Sequence, residues 1–191
     1  MEGTTRLEAF SDGVFAIAAT LLILELGIDS PRQLAHSWPA YLAYVTSFLT
    51  IGIIWINHHH TVSLMGRVDR TFLFVNILLL LTIAFLPLPT NLVAHHLRGS
   101  EARSAVLAYA ATFTIMAVMH QVFWQYARRG RRLIGDDVPE SALRGVDLAY
   151  APGVPMYAVR LLFAFVSPLA SVLLTFAIAA FYLPAAALFD R

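Results

Sequence analysis

Cysteine is absent from all 191 residues, so disulfides and thiolate metal sites are excluded outright. Lysine is absent too, and every one of the 13 basic side chains is an arginine. Charge is scarce altogether, at 13% of residues against about 25% in a soluble domain. A net charge of +1, with no glycine-rich phosphate loop and no basic tract interleaved with aromatics, gives nucleic acid nothing to bind. No Ser-His-Asp or paired-carboxylate arrangement is apparent, which argues against an enzyme. Low-complexity segments and internal duplications are also missing.

What is present is apolar surface. Hydrophobic residues make up 59% of the chain and mean hydropathy is +0.70. That is more than a soluble domain of this length can bury, so the chain reads as a membrane protein. A hydrocarbon core about 30 Å thick needs about 20 apolar residues per helix, which gives six candidate spans. They cover residues 8–28, 39–58, 71–92, 104–126, 147–166 and 168–187. Asp29-Ser30-Pro31 closes the first, Pro39 opens the second and Ser167-Pro168 forms a hairpin between the last two. The first run lacks a basic leader and a small-residue cleavage site, so it is expected to be a retained helix. Residues 128–147 read as a polar connecting loop, and residues 1–191 as a single six-helix domain.

Arginine placement orients the bundle. Arg6, Arg67, Arg70, Arg128, Arg129, Arg131, Arg132, Arg144 and Arg191 fall on one side, whereas the other side holds Arg32, Arg98 and Arg103. The positive-inside rule then puts both termini in the cytoplasm. Arg160 lies inside the fifth span, where an arginine costs about 2.5–3.5 kcal/mol unless it snorkels or pairs. That cost suggests a displaced fifth helix, with lipid phosphate a candidate partner.

The first span opens on R-L-E-A-F-S-D, residues 6–12, and continues for fourteen residues whose only charge is Glu25. At 100° per residue, Ile17, Leu21 and Leu24 fall within about 60° of one another, and Phe10 and Ile28 extend the stripe. Ser11 and Asp12 point well away from it, and Ile23 lies about 120° from its centre. Gly13, Ala16, Ala18, Ala19 and Thr20 are small residues of the kind that let membrane helices approach closely. An arbitrary membrane helix turns such a stripe to lipid, and composition alone does not decide between lipid and a pore.

Arg6-x-x-x-Phe10-Ser11-Asp12 is joined by Ser47-Phe48 and Trp55-x-Asn57-His58 in the second span. The third span adds Asn76 and Leu86-Pro87-x-Pro89-Thr90. Together these resemble the transmembrane protein 175 family of potassium channels, most strongly over the first three spans. The resemblance implies that the first helix lines a pore. Side chains five, nine and twelve residues beyond the motif aspartate would form its narrow part, and here those are Ile17, Leu21 and Leu24. It implies a homotetramer of single-repeat chains in a prokaryotic plasma membrane. Such a channel would pass monovalent cations, potassium before sodium, without a T-V-G-Y-G filter and without a cofactor. It also implies a polar brace for the pore helix, made by Arg6, Phe10, Ser11 and Asp12 against Trp55, Asn57, His58 and Asn76. Arg6 and Asp12, six residues apart, would each find a partner on a neighbouring span.

Thr20 either lends hydroxyls to the pore or bonds its own backbone. Glu25 and Asp29 either draw cations to an outer mouth or serve the helix end. Glu25, Asp12 and Arg160 also suit a proton-coupled transporter, the alternative function. The contiguous runs His58-His59-His60 and His95-His96, with His120, do not have the i, i+4 spacing that projects metal ligands from one helix face.

Overall fold

The computed structural model describes residues 2–27, 30–34 and 36–188. Ile28, Asp29 and Arg191 lie outside the described residues. The architecture is all-helical: α1 (Glu2–Leu21), a 3-10 turn (Leu24–Leu26), a single-turn α2 (Pro31–Leu34), α3 (Trp38–Ser63), α4 (Arg70–Phe85) and α5 (Pro87–His96). There follow α6 (Ala102–Arg128), α7 (Glu140–Tyr150), α8 (Gly153–Val166) and α9 (Pro168–Leu188). Five segments are long and apolar enough to cross a membrane: Thr4–Leu26, Trp38–Ser63, Arg70–His96, Ala102–Arg131 and Glu140–Val166. A sixth apolar helix begins at Pro168. Five of the six expected spans are therefore present among the described residues, with corrected ends, and the sixth falls on the apolar helix α9.

The third span is two helices in one line of chain. Pro87 has no N–H to give to the Ile83 carbonyl one turn back, and that carbonyl accepts from the Leu86 N–H instead, at 3.1 Å. Regular bonding resumes at Thr90, whose N–H (3.2 Å) and hydroxyl (2.8 Å) both donate to the Leu86 carbonyl. The fifth span is likewise broken, into α7 and α8, at Ala151-Pro152. Inside the bundle α6 packs on α4, α5 and α8, while α3 packs on α1, α5 and α9. Phe72, Leu79, Tyr109, Phe113, Phe123 and Trp124 fill the centre at 0% exposure.

Residues 128–147 are not the polar loop expected. Leu133, Ile134, Leu143 and Val146 are buried, and Met65 and Ile134 form a short antiparallel bridge. Gly66 N–H donates to the Leu133 carbonyl and Gly135 N–H to that of Leu64, each at 3.0 Å. The backbones cross so closely that a Cβ on Gly66 would stand 3.1 Å from Gly135 Cα, and one on Gly135 would meet the Asp137 carboxylate at 2.9 Å, so both positions favour glycine. Arg128 then clasps α7, donating to Asp147 at 3.0 Å and Glu140 at 2.7 Å. Trp124 Nε1 shares the Asp147 carboxylate at 2.7 Å. The apolar anchors of this segment, the Leu133-Ile134 pair, Leu143 and Val146, are few among charged and turn residues, so no sustained periodicity marks them.

Asp69 caps α4, its carboxylate accepting from Phe72 N–H at 2.8 Å. Tyr126 and Arg132 donate to the same group at 2.9 and 3.2 Å. The Phe72 bond first, then Tyr126 and Arg132, holds this carboxyl below the usual carboxylate range. Such a group stabilises the fold above its unfolded pKa, near 3.9, and the contribution is lost as pH falls through the lower folded value. Asp69→Asn keeps the capping oxygen but removes the charge. Its melting temperature should sit slightly below wild type at pH 7, and the gap should close as pH falls below about 4. A gap unchanged from neutral pH down to about 3 in thermal melts would show that the charge contributes nothing.

Candidate pore face and its polar brace

The sequence of α1 builds two unlike sides. Leu7, Ser11, Phe15, Ala18 and Leu22 follow one another at spacings of three and four and are all buried, against α3 and α4. Phe10, Ile17, Leu21 and Leu24 are left uncovered, at 60%, 61%, 41% and 72% exposure. The α-helix ends at Leu21, so the column expected to run straight through Leu24 does not. Leu24 stands in the 3-10 turn, closed by Gly27 at φ +58°. Gly27 is required there twice over, since a Cβ would be strained at that φ and would collide with the His95 ring. Ile23 belongs to the same turn and is also exposed, at 49%. Glu25 opens the 3-10 turn, half-buried.

Thr20 takes the backbone-bonded alternative, donating to the Ile17 carbonyl at 2.9 Å. Beside it, the small residues Ala16 and Ala19 with Phe48, Gly52 and Trp55 of α3 line a shallow groove of about 320 Å³. Asp12 closes one end of this groove.

The structure divides the R-x-x-x-F-S-D motif among three directions. Ser11 points inward and is fully buried, accepting from Asn76 Nδ2 at 3.1 Å. Asn76 Oδ1 lies 2.8 Å from His58 Nε2, so this ring nitrogen carries the proton and donates. His58 is sandwiched by Phe123 (4.9 Å) and Phe15 (5.4 Å). One hydrogen-bonded line thus ties α1, α4 and α3 together. Asp12 is exposed and reaches sideways, accepting from Trp55 Nε1 at 2.8 Å.

Arg6 departs from the expected brace. At 100° per residue it shares the face of Phe10 and Ile17, not that of Ser11. It is exposed and, among the described residues, has no hydrogen-bond or ion-pair partner. Phe10 also stands outside the brace, on the uncovered side. Asn57 contributes its carbonyl, which accepts from Tyr150 at 2.9 Å, and among the described residues its side chain makes no hydrogen bond to the motif. The arithmetic of 100° per residue that separates Arg6 from Ser11 was available in the sequence. The Glu8 to His59 pair at 3.5 Å, which adds a second α1 to α3 contact beside Trp55, carried no signal there.

Among the described residues no group of three histidines or carboxylates is disposed to hold a metal. His95 and His96 each bond a backbone carbonyl one turn back, at 2.9 and 3.0 Å. Arg160 corrects a further expectation. It neither snorkels nor meets lipid phosphate, being 0% exposed in the middle of the bundle.

Six apolar segments, a continuous helical core and a buried polar line between the first three of them define an all-α integral membrane protein. Residues 6–87 match the family described as endosomal/lysosomal potassium channel TMEM175. A potassium channel of Streptomyces collinus is 42% identical over 175 residues, covering 87% of this chain and 85% of that one. The crystal structure of a lysosomal potassium-selective channel TMEM175 homolog from Chamaesiphon minutus superposes with a TM-score of 0.88 at 35% identity. It covers 97% of this chain and 99% of its own. A Gallus gallus protein named endosomal/lysosomal proton channel TMEM175 is 34% identical over 131 residues, 61% of this chain but 26% of that longer one. The chain belongs to the TMEM175 family.

Proposed function

We propose that the chain is a potassium channel, a homotetramer whose four α1 helices surround an axial pore. The observation that carries this reading is the uncovered aliphatic side of α1, opposite a side that is packed along its whole length. The names of the Streptomyces and Chamaesiphon relatives support it. A closed ring with one pore helix per chain calls for cyclic symmetry. The small-residue groove between α1 and α3 offers the close approach that a neighbouring helix needs.

Rings of Ile17 and Leu21, with Leu24 at the outer turn, would work as a gate by dewetting. A constriction too narrow and apolar to hold water makes a cation shed its shell with nothing in exchange. When the ring widens, the ion of lower dehydration cost passes first, which favours potassium over sodium. Both termini lie in the cytoplasm of a prokaryotic cell in this reading, as the arginine distribution supports.

Two measurements test it. Light scattering in mild detergent should return four times the 21.1 kDa chain mass. Single-channel recording after reconstitution should give unitary steps that reverse with the potassium gradient. A monodisperse monomer that still conducts, or flux that follows a pH gradient in the absence of a potassium gradient, would sink the proposal.

A further inference from the structure

Tyr157 and Arg160 are three residues apart in α8 and share a face. That face turns into the seam between α6, α8 and α9. The Arg160 guanidinium carbon lies 4.7 Å from the centre of the Phe113 ring, 5.2 Å from Tyr109 and 5.9 Å from Tyr157. Ring faces stabilise a cation but accept no hydrogen bond of ordinary strength. Nε and both terminal nitrogens of Arg160 are buried without an acceptor among the described residues. Five N–H donors are therefore uncommitted.

The nearby hydroxyls do not supply what is missing. Thr90 donates to Leu86, so Ser47 donates to Thr90 at 2.8 Å and Tyr109 to Ser47 at 2.9 Å. This chain of bonds runs away from Arg160 into α3 and α5. Tyr157 approaches Thr50, whose own hydroxyl donates to the Thr46 carbonyl. Thr46 lies one turn from Thr50 on the same face of α3, fully buried, and its hydroxyl is also unpartnered. The seam is thus rich in donors, carries a full positive charge and, among the described residues, pairs with no carboxylate. Asp12 is engaged by Trp55 and Glu8 by His59. Glu25 belongs to the 3-10 turn beyond α1.

We propose that this seam holds a small monovalent anion of the halide class, one per subunit, bound by the Arg160 guanidinium with the Thr46 hydroxyl as a second donor. An anion supplies both things the seam lacks, an acceptor for several N–H groups and a countercharge. Water supplies only the first, and it brings two hydrogens that need acceptors of their own. Lipid headgroups are kept out, because Arg160 is 0% exposed. The site stands apart from the α1 face, so its test needs no ion flux.

The full chain, purified in detergent, is melted at constant potassium concentration while chloride or bromide replaces gluconate. Binding to the folded state alone raises the melting temperature with the logarithm of halide concentration, by roughly 3–6 °C per tenfold once the site begins to fill. Arg160→Met should abolish the dependence and Thr46→Val should weaken it. Should Arg160→Met fail to fold, crystals grown in bromide give the second readout, an anomalous peak within hydrogen-bond distance of the guanidinium. Melting temperatures identical in chloride and gluconate, or bromide crystals with no such peak, overturn the proposal.

Discussion

Ile17→Asn should make the membrane leak potassium. In the tetrameric reading the substitution lines the narrowest ring with four amides of similar size to the isoleucines they replace, so water stays in the constriction and the dewetting barrier falls. Each 1.4 kcal/mol or so removed from that barrier multiplies flux by about ten. Leu21→Asn should act in the same direction. Leu24→Asn should act more weakly, since Leu24 sits in the 3-10 turn beyond the helix end. A helix that merely faces lipid predicts something else: an amide exposed to hydrocarbon, a cost of a few kcal/mol to stability and no added conductance. Ile23, about 120° from the stripe by helical arithmetic, is not a clean control because it caps that turn. Leu81 of α4, 63% exposed and far from α1's uncovered side in sequence, is the better one, and Leu81→Asn should add no leak. Potassium efflux from liposomes at matched protein density decides the matter. Flux for Ile17→Asn at or below wild type, with assembly intact, would put the pore on a different surface.

The sequence made some of this visible and hid the rest for physical reasons. Periodicity is a property of single helices, so the two sides of α1 were readable from Ile17, Leu21 and Ser11 alone. Proline marks helix ends reliably, and Pro39 and Pro168 stand at the starts of α3 and α9 as expected. It does not say whether a helical path stops or goes on, and at Pro87 it goes on because the Leu86 N–H takes the Ile83 carbonyl that the proline leaves free. The end of α1 at Leu21 had little signal: Leu22 through Leu26 can all continue a helix, and although Gly27 is a stop residue, its meeting with His95 across the fold is not written locally. Arg160 was misplaced for a related reason. Its surroundings come from Tyr109 and Phe113, some fifty residues away, and only Tyr157 could have hinted at a ring-lined site. The R-x-x-x-F-S-D motif reads as one unit in a line of text. On a helix its members fan out by 100° per step, and only Ser11 reaches the core.

That division changes which substitution should disturb assembly most. Asp12 and Arg6 are the conspicuous charges, yet both are exposed within the chain, and Asp12→Asn leaves Trp55 an amide oxygen in the same place. Its cost should stay below about 1 kcal/mol, as for exposed charge pairs generally. Asn76 is 2% exposed and bonds two side chains that are themselves buried. Asn76→Leu removes both bonds at once and strands the His58 N–H and the Ser11 hydroxyl in an apolar core. Each stranded group costs about 1–3 kcal/mol, which brings the loss to roughly 2–6 kcal/mol. Membrane insertion should survive and thermal stability should not. At about 2–4 °C per kcal/mol, the melting temperature read by size-exclusion chromatography after heating should fall by at least about 4 °C. The same physics predicts a rescue. Buried polar partners replaced together by apolar groups of similar shape lose bonds without leaving orphans, so Ser11→Ala and His58→Phe added to Asn76→Leu should recover much of the lost stability. Recovery would show that the line from Ser11 through Asn76 to His58 acts as one hydrogen-bonded unit. A triple variant less stable than Asn76→Leu alone would mean that shape packing around Phe15 and Phe123, and not the hydrogen bonds, holds α1 to its neighbours.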